Sequence, residues 1–151
     1  RFLLTHLSDP VDTVSKWSLQ LRPGGLLMME ETESIETRNP TFARYLEIVA
    51  AMLAAQSNTL YAGRMLAVLG DRVGLGIVRN HSNRLKVSNA DAAGMFAMNM
   101  DAVARNEFVR AKFSAAEIAE LRTSLDDLAR DRTSRSDIEW TLRQTALAAR
   151  R

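Results

Sequence analysis

The segment Leu21-Arg22-Pro23-Gly24-Gly25-Leu26-Leu27-Met28-Met29-Glu30-Glu31 constrains the fold more than any other stretch of the chain. A proline and two glycines end whatever precedes them, an unbroken apolar run follows, and acids close it. Such a run between turn residues and charges is the pattern of a strand buried on both faces, which needs helices packed above and below it. Upstream, Phe2 to Leu7 is a second apolar run, stopped at Ser8-Asp9-Pro10, where proline forces its predecessor out of helical conformation. Between the two runs Val14, Trp17 and Leu21 recur at helical intervals. Strand, helix, strand predicts a crossover unit of a parallel sheet and hence an α/β fold.

The remainder of the chain adds further helices and two further strands. Glu30, Glu31, Glu33 and Glu36 open a polar stretch that ends at Asn39-Pro40, where Asn suits a helix cap and Pro the first turn. Phe42, Tyr45, Leu46, Val49 and Leu53 then keep one apolar face to about Gln56, and a shorter helix runs from Ala62 to Leu69, closed by Gly70. Residues 40–70 are thus expected to form a helical insertion or lid. Ile77, Leu85 and Val87 share one alternating parity among polar residues, as in a strand near a sheet edge with one wet side. Ser88 with Asp91 and Ser114 with Glu117 have capping-box spacing, and Phe113 is placed to staple against Ile118. Residues 131–137 are polar and expected to form a loop, and Ile138, Trp140 and Leu142 then alternate as in a strand. The residues onward to Ala149 suit a helix equally well.

At 151 residues and 46% apolar content the chain has the size of one domain. Twenty Lys plus Arg against 18 Asp plus Glu leave a formal charge of +2, spread over every helix, which argues against nucleic-acid binding. With no cysteine there is neither a disulfide nor a thiolate nucleophile nor a zinc-thiolate site. No apolar run reaches the ~20 residues of a membrane span, so the chain is read as soluble and cytoplasmic, without a membrane partner. The start at Arg1, inside an apolar run, is read as a cut through a strand, and the chain as incomplete from its first residue. Glu30, Glu31 and Glu33 do not suggest a metal site, because His6 is the only histidine near them in sequence and successive strand residues face opposite sides. Trp17 and Trp140 lie on apolar stripes and are expected in the core, and Met95, Met98 and Met100 are read as adaptable packing.

Taken in order, Arg1 to Pro10 and Leu21 to Glu31 resemble the fourth and fifth strand regions of class I, Rossmann-like S-adenosylmethionine-dependent methyltransferases. The shared pattern is an apolar strand end, His-Leu, an acidic-proline turn, a helix with a Trp, Leu-basic-Pro-Gly-Gly, and an apolar strand ending in acids. The resemblance covers roughly the first third of the chain. The rest follows the family's order of helical insertion, strand six, helices and strand seven, for which Ile138 to Gln144 is the counterpart. The implied fold is the C-terminal part of such a sheet. The family's glycine-rich cofactor turn and the acid that binds the cofactor ribose have no counterpart in this sequence, and Gly74-x-Gly76 lies too late to substitute.

The resemblance implies S-adenosylmethionine as cofactor of the complete protein and a small-molecule methyl acceptor. It sets Arg1, Phe2 and Leu3 beside the methionyl part of the cofactor. Glu30, Glu31 and the segment from Tyr45 to Tyr61 would line or cover the acceptor pocket. Methyl transfer depends mainly on alignment. A base that takes the acceptor's proton would be His6 or Glu30, at the rim where strands end. The plainer alternative is that His6 bonds the turn after it or packs. The chain alone would be inactive, and the open apolar edge at Phe2 to Leu7 is expected to be covered by a second copy in a homodimer. The rival expectation is a methyltransferase-like module without catalysis, kept for dimerisation or interaction. A nicotinamide-dependent oxidoreductase on a similar sheet is a third, with no special role for Leu-Arg-Pro-Gly-Gly.

Overall fold

The computed structural model describes residues 1–133 and 135–149. The chain is α/β, as the sequence implies. A short 3-10 turn (Leu4–His6) is followed by α1 (Pro10–Ser18), β1 (Leu26–Thr37), α2 (Pro40–Ala55), α3 (Gly63–Arg72), β2 (Leu75–Val87), α4 (Asn89–Arg105), α5 (Glu107–Lys112), α6 (Ala115–Arg130) and β3 (Ile138–Ala149). The three strands form one sheet in the order β1-β3-β2, so the last strand in sequence is central. The Arg38 N–H bonds Asp137 O while Gln144 reaches Glu30, so β1 and β3 run in opposite directions. Lys86 opposite Glu139 and Asn80 opposite Arg143 show the same for β3 and β2.

One expected element differs. Phe2 to Leu7 is not a strand but a bent entry into the 3-10 turn, joined to β1 by a single backbone bond from Phe2 N–H to Glu30 O (3.0 Å). The next two donors, Leu3 and Leu4 N–H, go to the Glu31 side chain rather than to a neighbouring strand. The parallel crossover is therefore absent among the described residues, and the sheet is antiparallel. The residues after Gln144, open between strand and helix in the sequence, continue as strand to Ala149. β1 likewise runs past its apolar start into the acids, because β3 supplies their partners.

The chain divides into two compact units, residues 1–34, 57–85 and 140–151, and residues 35–56 and 86–139. In the first, α1 and α3 cover one side of the sheet around Leu4, Val14, Met29, Leu66, Leu69 and Leu147, with Trp17 packed at its margin. α1 starts at Pro10 with the Asp9 side chain accepting from Asp12 N–H (2.9 Å), a cap that suits the proline-led first turn. Glycines bring α3 close. A Cβ on Gly63 would lie 2.8 Å from Glu31 O and from Glu33 N, and one on Gly70 2.8 Å from Ile77 Cγ1.

The second unit is helical. Phe96 of α4 stacks on Tyr45 of α2 (4.1 Å between centroids, 19°) and meets Phe42 edge-on at 5.6 Å. Asn39 caps α2, and Ser114 with Glu117 forms the expected capping box on α6. Ser88 caps α4, which ends at Asn106, itself the cap of α5. The 131–137 segment is tied to the start of α4. Asn89 Nδ2 donates to Asp137 Oδ2 (2.8 Å), Asp137 N–H donates to Asn89 Oδ1 (2.9 Å), and Asn89 N–H donates to Arg135 O (2.8 Å).

Candidate functional site

The candidate site lies in the first unit, where Arg1 to Leu4 meets β1 at Glu30 and Glu31. Successive strand residues face opposite sides, so the two acids do different work. Glu31 is 2% exposed, and its Oε1 accepts from Leu3 N–H (2.7 Å) and Leu4 N–H (2.9 Å). Glu30 is 6% exposed; its carboxylate pairs with the Arg1 guanidinium and accepts from Gln144 Nε2. The Arg1 guanidinium also sits 5.2 Å from the centroid of the Phe2 ring. Phe2 and Leu3 keep 43% and 46% of their surface exposed, so an apolar patch borders a buried pair of carboxylates.

Five of the eight residues singled out from sequence, Arg1, Phe2, Leu3, Glu30 and Glu31, are thus brought together. His6 is exposed on the adjoining 3-10 turn, where its backbone N–H donates to Leu3 O (3.0 Å). Tyr61 precedes α3 and carries the Arg64 guanidinium over its ring at 5.1 Å; burial pushes its hydroxyl above the usual phenol value, and Arg64 opposes this. Tyr45 belongs to the second unit, where it stacks in the helical core with its Oη accepting from Asn99 Nδ2 (3.4 Å). Burial pushes this hydroxyl up too, against the opposing bond from Asn99.

A polar network across all three strands escaped the sequence reading. Glu33 accepts from Arg143 Nη2 (2.5 Å) and from Ser82 Oγ (2.5 Å). The other Arg143 Nη reaches Asn80 Oδ1 (2.9 Å), which also takes Thr145 Oγ1 (3.3 Å), while Arg64 Nε donates to Glu33 O (3.1 Å). Burial, the largest single effect, would raise the Glu33 carboxyl, but the bonds from Arg143 and Ser82 and the charges of Arg143 and Arg64 combine to hold the group below its usual value. The available signal was Arg143 itself, a cation inside a strand, which needs a partner where the sheet buries it. Elsewhere, a shallow cavity of about 350 Å³ opens in the second unit between the start of α4 and the 131–137 segment, lined among others by Lys86, Ser88, Asp91 and Arg132. None of the sequence-derived site residues lines it. Among the described residues no helix is long and apolar enough to cross a membrane.

No protein-family model and no curated protein matches the chain. Solved structures of similar shape include phosphoethanolamine N-methyltransferase 2 of Haemonchus contortus. One was determined with phosphomonomethylethanolamine and S-adenosylhomocysteine (14% identity, TM-score 0.42). Another contains S-adenosyl-L-methionine (14% identity, TM-score 0.41). Each similarity covers 100% of this chain and 32% of the other, so the chain spans about a third of the length of the structures it matches.

Proposed function

We propose that the chain is the C-terminal part of a class I methyltransferase and that the complete protein transfers a methyl group from S-adenosylmethionine to a small-molecule acceptor. The observation that carries this reading is the contact between the two segments that resemble the family, with Arg1 on Glu30 and Leu3 and Leu4 N–H on Glu31. The residues suit the group. S-adenosylmethionine, when bound, supplies a methyl carbon on a positively charged sulfur, and an aromatic face beside a carboxylate is a surface on which a cation is stabilised, a place that the Arg1 guanidinium takes here and would have to yield. In this reading Phe2 and Leu3 give the apolar wall, Glu30 the negative charge, and exposed His6 accepts a proton from the acceptor. Tyr61, in the same unit, remains the candidate for lining the acceptor pocket. The rate depends on alignment, so His6→Ala is expected to lower turnover without abolishing it; unchanged turnover would remove His6 from the mechanism.

A homodimer is part of the proposal. Phe2, Leu3, Leu26 and Met28 are 43%, 46%, 50% and 75% exposed, and β1 is an edge strand. The same patch favours the second reading, a non-catalytic interaction module. Titration of S-adenosylhomocysteine into the product of the complete reading frame, with the 151-residue chain in parallel, separates the two. Binding by the complete product alone supports the enzyme, and absence of binding in both supports the module. A monomeric mass by light scattering at micromolar concentration removes the dimer.

A further inference from the structure

Phe2 has φ 55°, in the left-handed region that side chains bearing a Cβ seldom enter, and Leu3 follows in the right-handed region (φ −105°, ψ −37°). A left-handed residue followed by a right-handed one turns consecutive N–H groups toward one point and makes a concave anion site of the backbone. Here the anion is internal. Leu3 N–H and Leu4 N–H converge on Glu31 Oε1, while Phe2 N–H is held by the neighbouring Glu30 O. Glu31 Oε2 is buried with no hydrogen-bond partner among the described residues. A 2%-exposed carboxylate therefore spends its hydrogen bonds on holding the backbone of a segment whose own side chains, Phe2 and Leu3, are half exposed.

From this geometry we propose that Glu31 is a positioning residue. Its carboxylate is the fixed anion that keeps Phe2 left-handed and presents Phe2 and Leu3 as a ready-formed wall. The inference rests on the reading that Arg1 to Leu3 border the cofactor, and it gives Glu31 a role through the backbone rather than a contact with the acceptor. The other carboxylate at this corner, Glu30, is engaged by Arg1 and Gln144 instead.

The test uses three variants and two readouts. Glu31→Leu fills the volume without an acceptor, Glu31→Gln keeps the shape and one acceptor oxygen, and Glu31→Ala leaves room for a small anion. In the 151-residue chain, amide hydrogen exchange at Leu3 and Leu4 should quicken in Glu31→Leu by about tenfold or more, as expected for lost hydrogen bonds to a charged group. Exchange at Leu66 and Leu69 of α3 should stay as in the parent chain and so report that the fold persists. Glu31→Gln should recover most of the protection, and formate should restore it to Glu31→Ala. In the complete protein, Glu31→Leu should weaken S-adenosylhomocysteine about tenfold, because the competent wall is then populated less of the time. Unchanged exchange at Leu3 and Leu4, or unchanged affinity beside faster exchange, overturns the proposal. Failure of the parent complete protein to bind S-adenosylhomocysteine overturns instead the functional reading, and exchange still decides whether Glu31 holds the segment.

Discussion

Glu33 and Gly63 show what a single position is worth. The Glu33 carboxyl is held below its ordinary value of 4.5 by Arg143 and Ser82 against the opposing effect of burial. A depressed carboxylate contributes stability that is fully present above the unfolded value and is lost as pH falls through the folded one. Denaturant midpoints should thus be flat above about pH 5.5 and fall below about pH 4.5. Glu33→Gln should flatten part of that fall while lowering stability near neutrality by on the order of 1–3 kcal/mol, because Arg143 is left half-paired. An acid limb identical in parent and variant would show that Glu33 carries none of it. Gly63→Ala puts a methyl 2.8 Å from the β1 backbone, which cannot swing aside as a side chain can. A loss of roughly 1–3 kcal/mol is expected in urea unfolding. The helix that carries Gly63 was legible from periodicity. The Glu33–Arg143 pair was not, because a partner 110 residues away depends on sheet register.

Elements were most legible where side chains satisfy their own helix ends. Ser114 with Glu117 gives the capping box that its spacing announced, both bonds being present. Ser114→Ala should cost about 1 kcal/mol, measured as a shift in denaturant midpoint at unchanged slope; a midpoint equal to the parent's would mean the α6 terminus frays regardless. Asn39-Pro40 and Ser88 mark the starts of α2 and α4 for the same local reason. The reciprocal Asn89–Asp137 pair is of another kind, joining the start of α4 to a loop 48 residues on. Asn89→Ala and Asp137→Ala should each destabilise, and the double variant should cost clearly less than their sum; additive losses would show that the pair is not coupled. The one misjudged element, Phe2 to Leu7, has apolar residues suited to a strand, but two of its donors are captured by a distant carboxylate.

Across the whole molecule, the sheet is the feature that composition could not rank. β3 is the last element and yet the central strand, so its amides should exchange more slowly than the outward-facing amides of β2, an edge strand. Equal protection in both strands would contradict the β1-β3-β2 order. At this scale, too, the homodimer makes its own demand: protection along the outer edge of β1 should rise with protein concentration, and an edge indifferent to concentration argues against pairing there. The sequence by itself determined what depends on neighbours within a turn or a pleat: the helix starts, the apolar faces of the helices and the α/β class. The expected burial of β1 on both faces fails at its start, where Leu26 and Met28 are exposed. Tertiary structure alone decided the antiparallel order, the conversion of the first segment into a 3-10 turn, the internal role of Glu31 and the partners of Glu33. Those outcomes depend on which distant donor meets which acceptor, and the strength of a buried hydrogen bond or ion pair is set by that meeting rather than by the residues flanking either one.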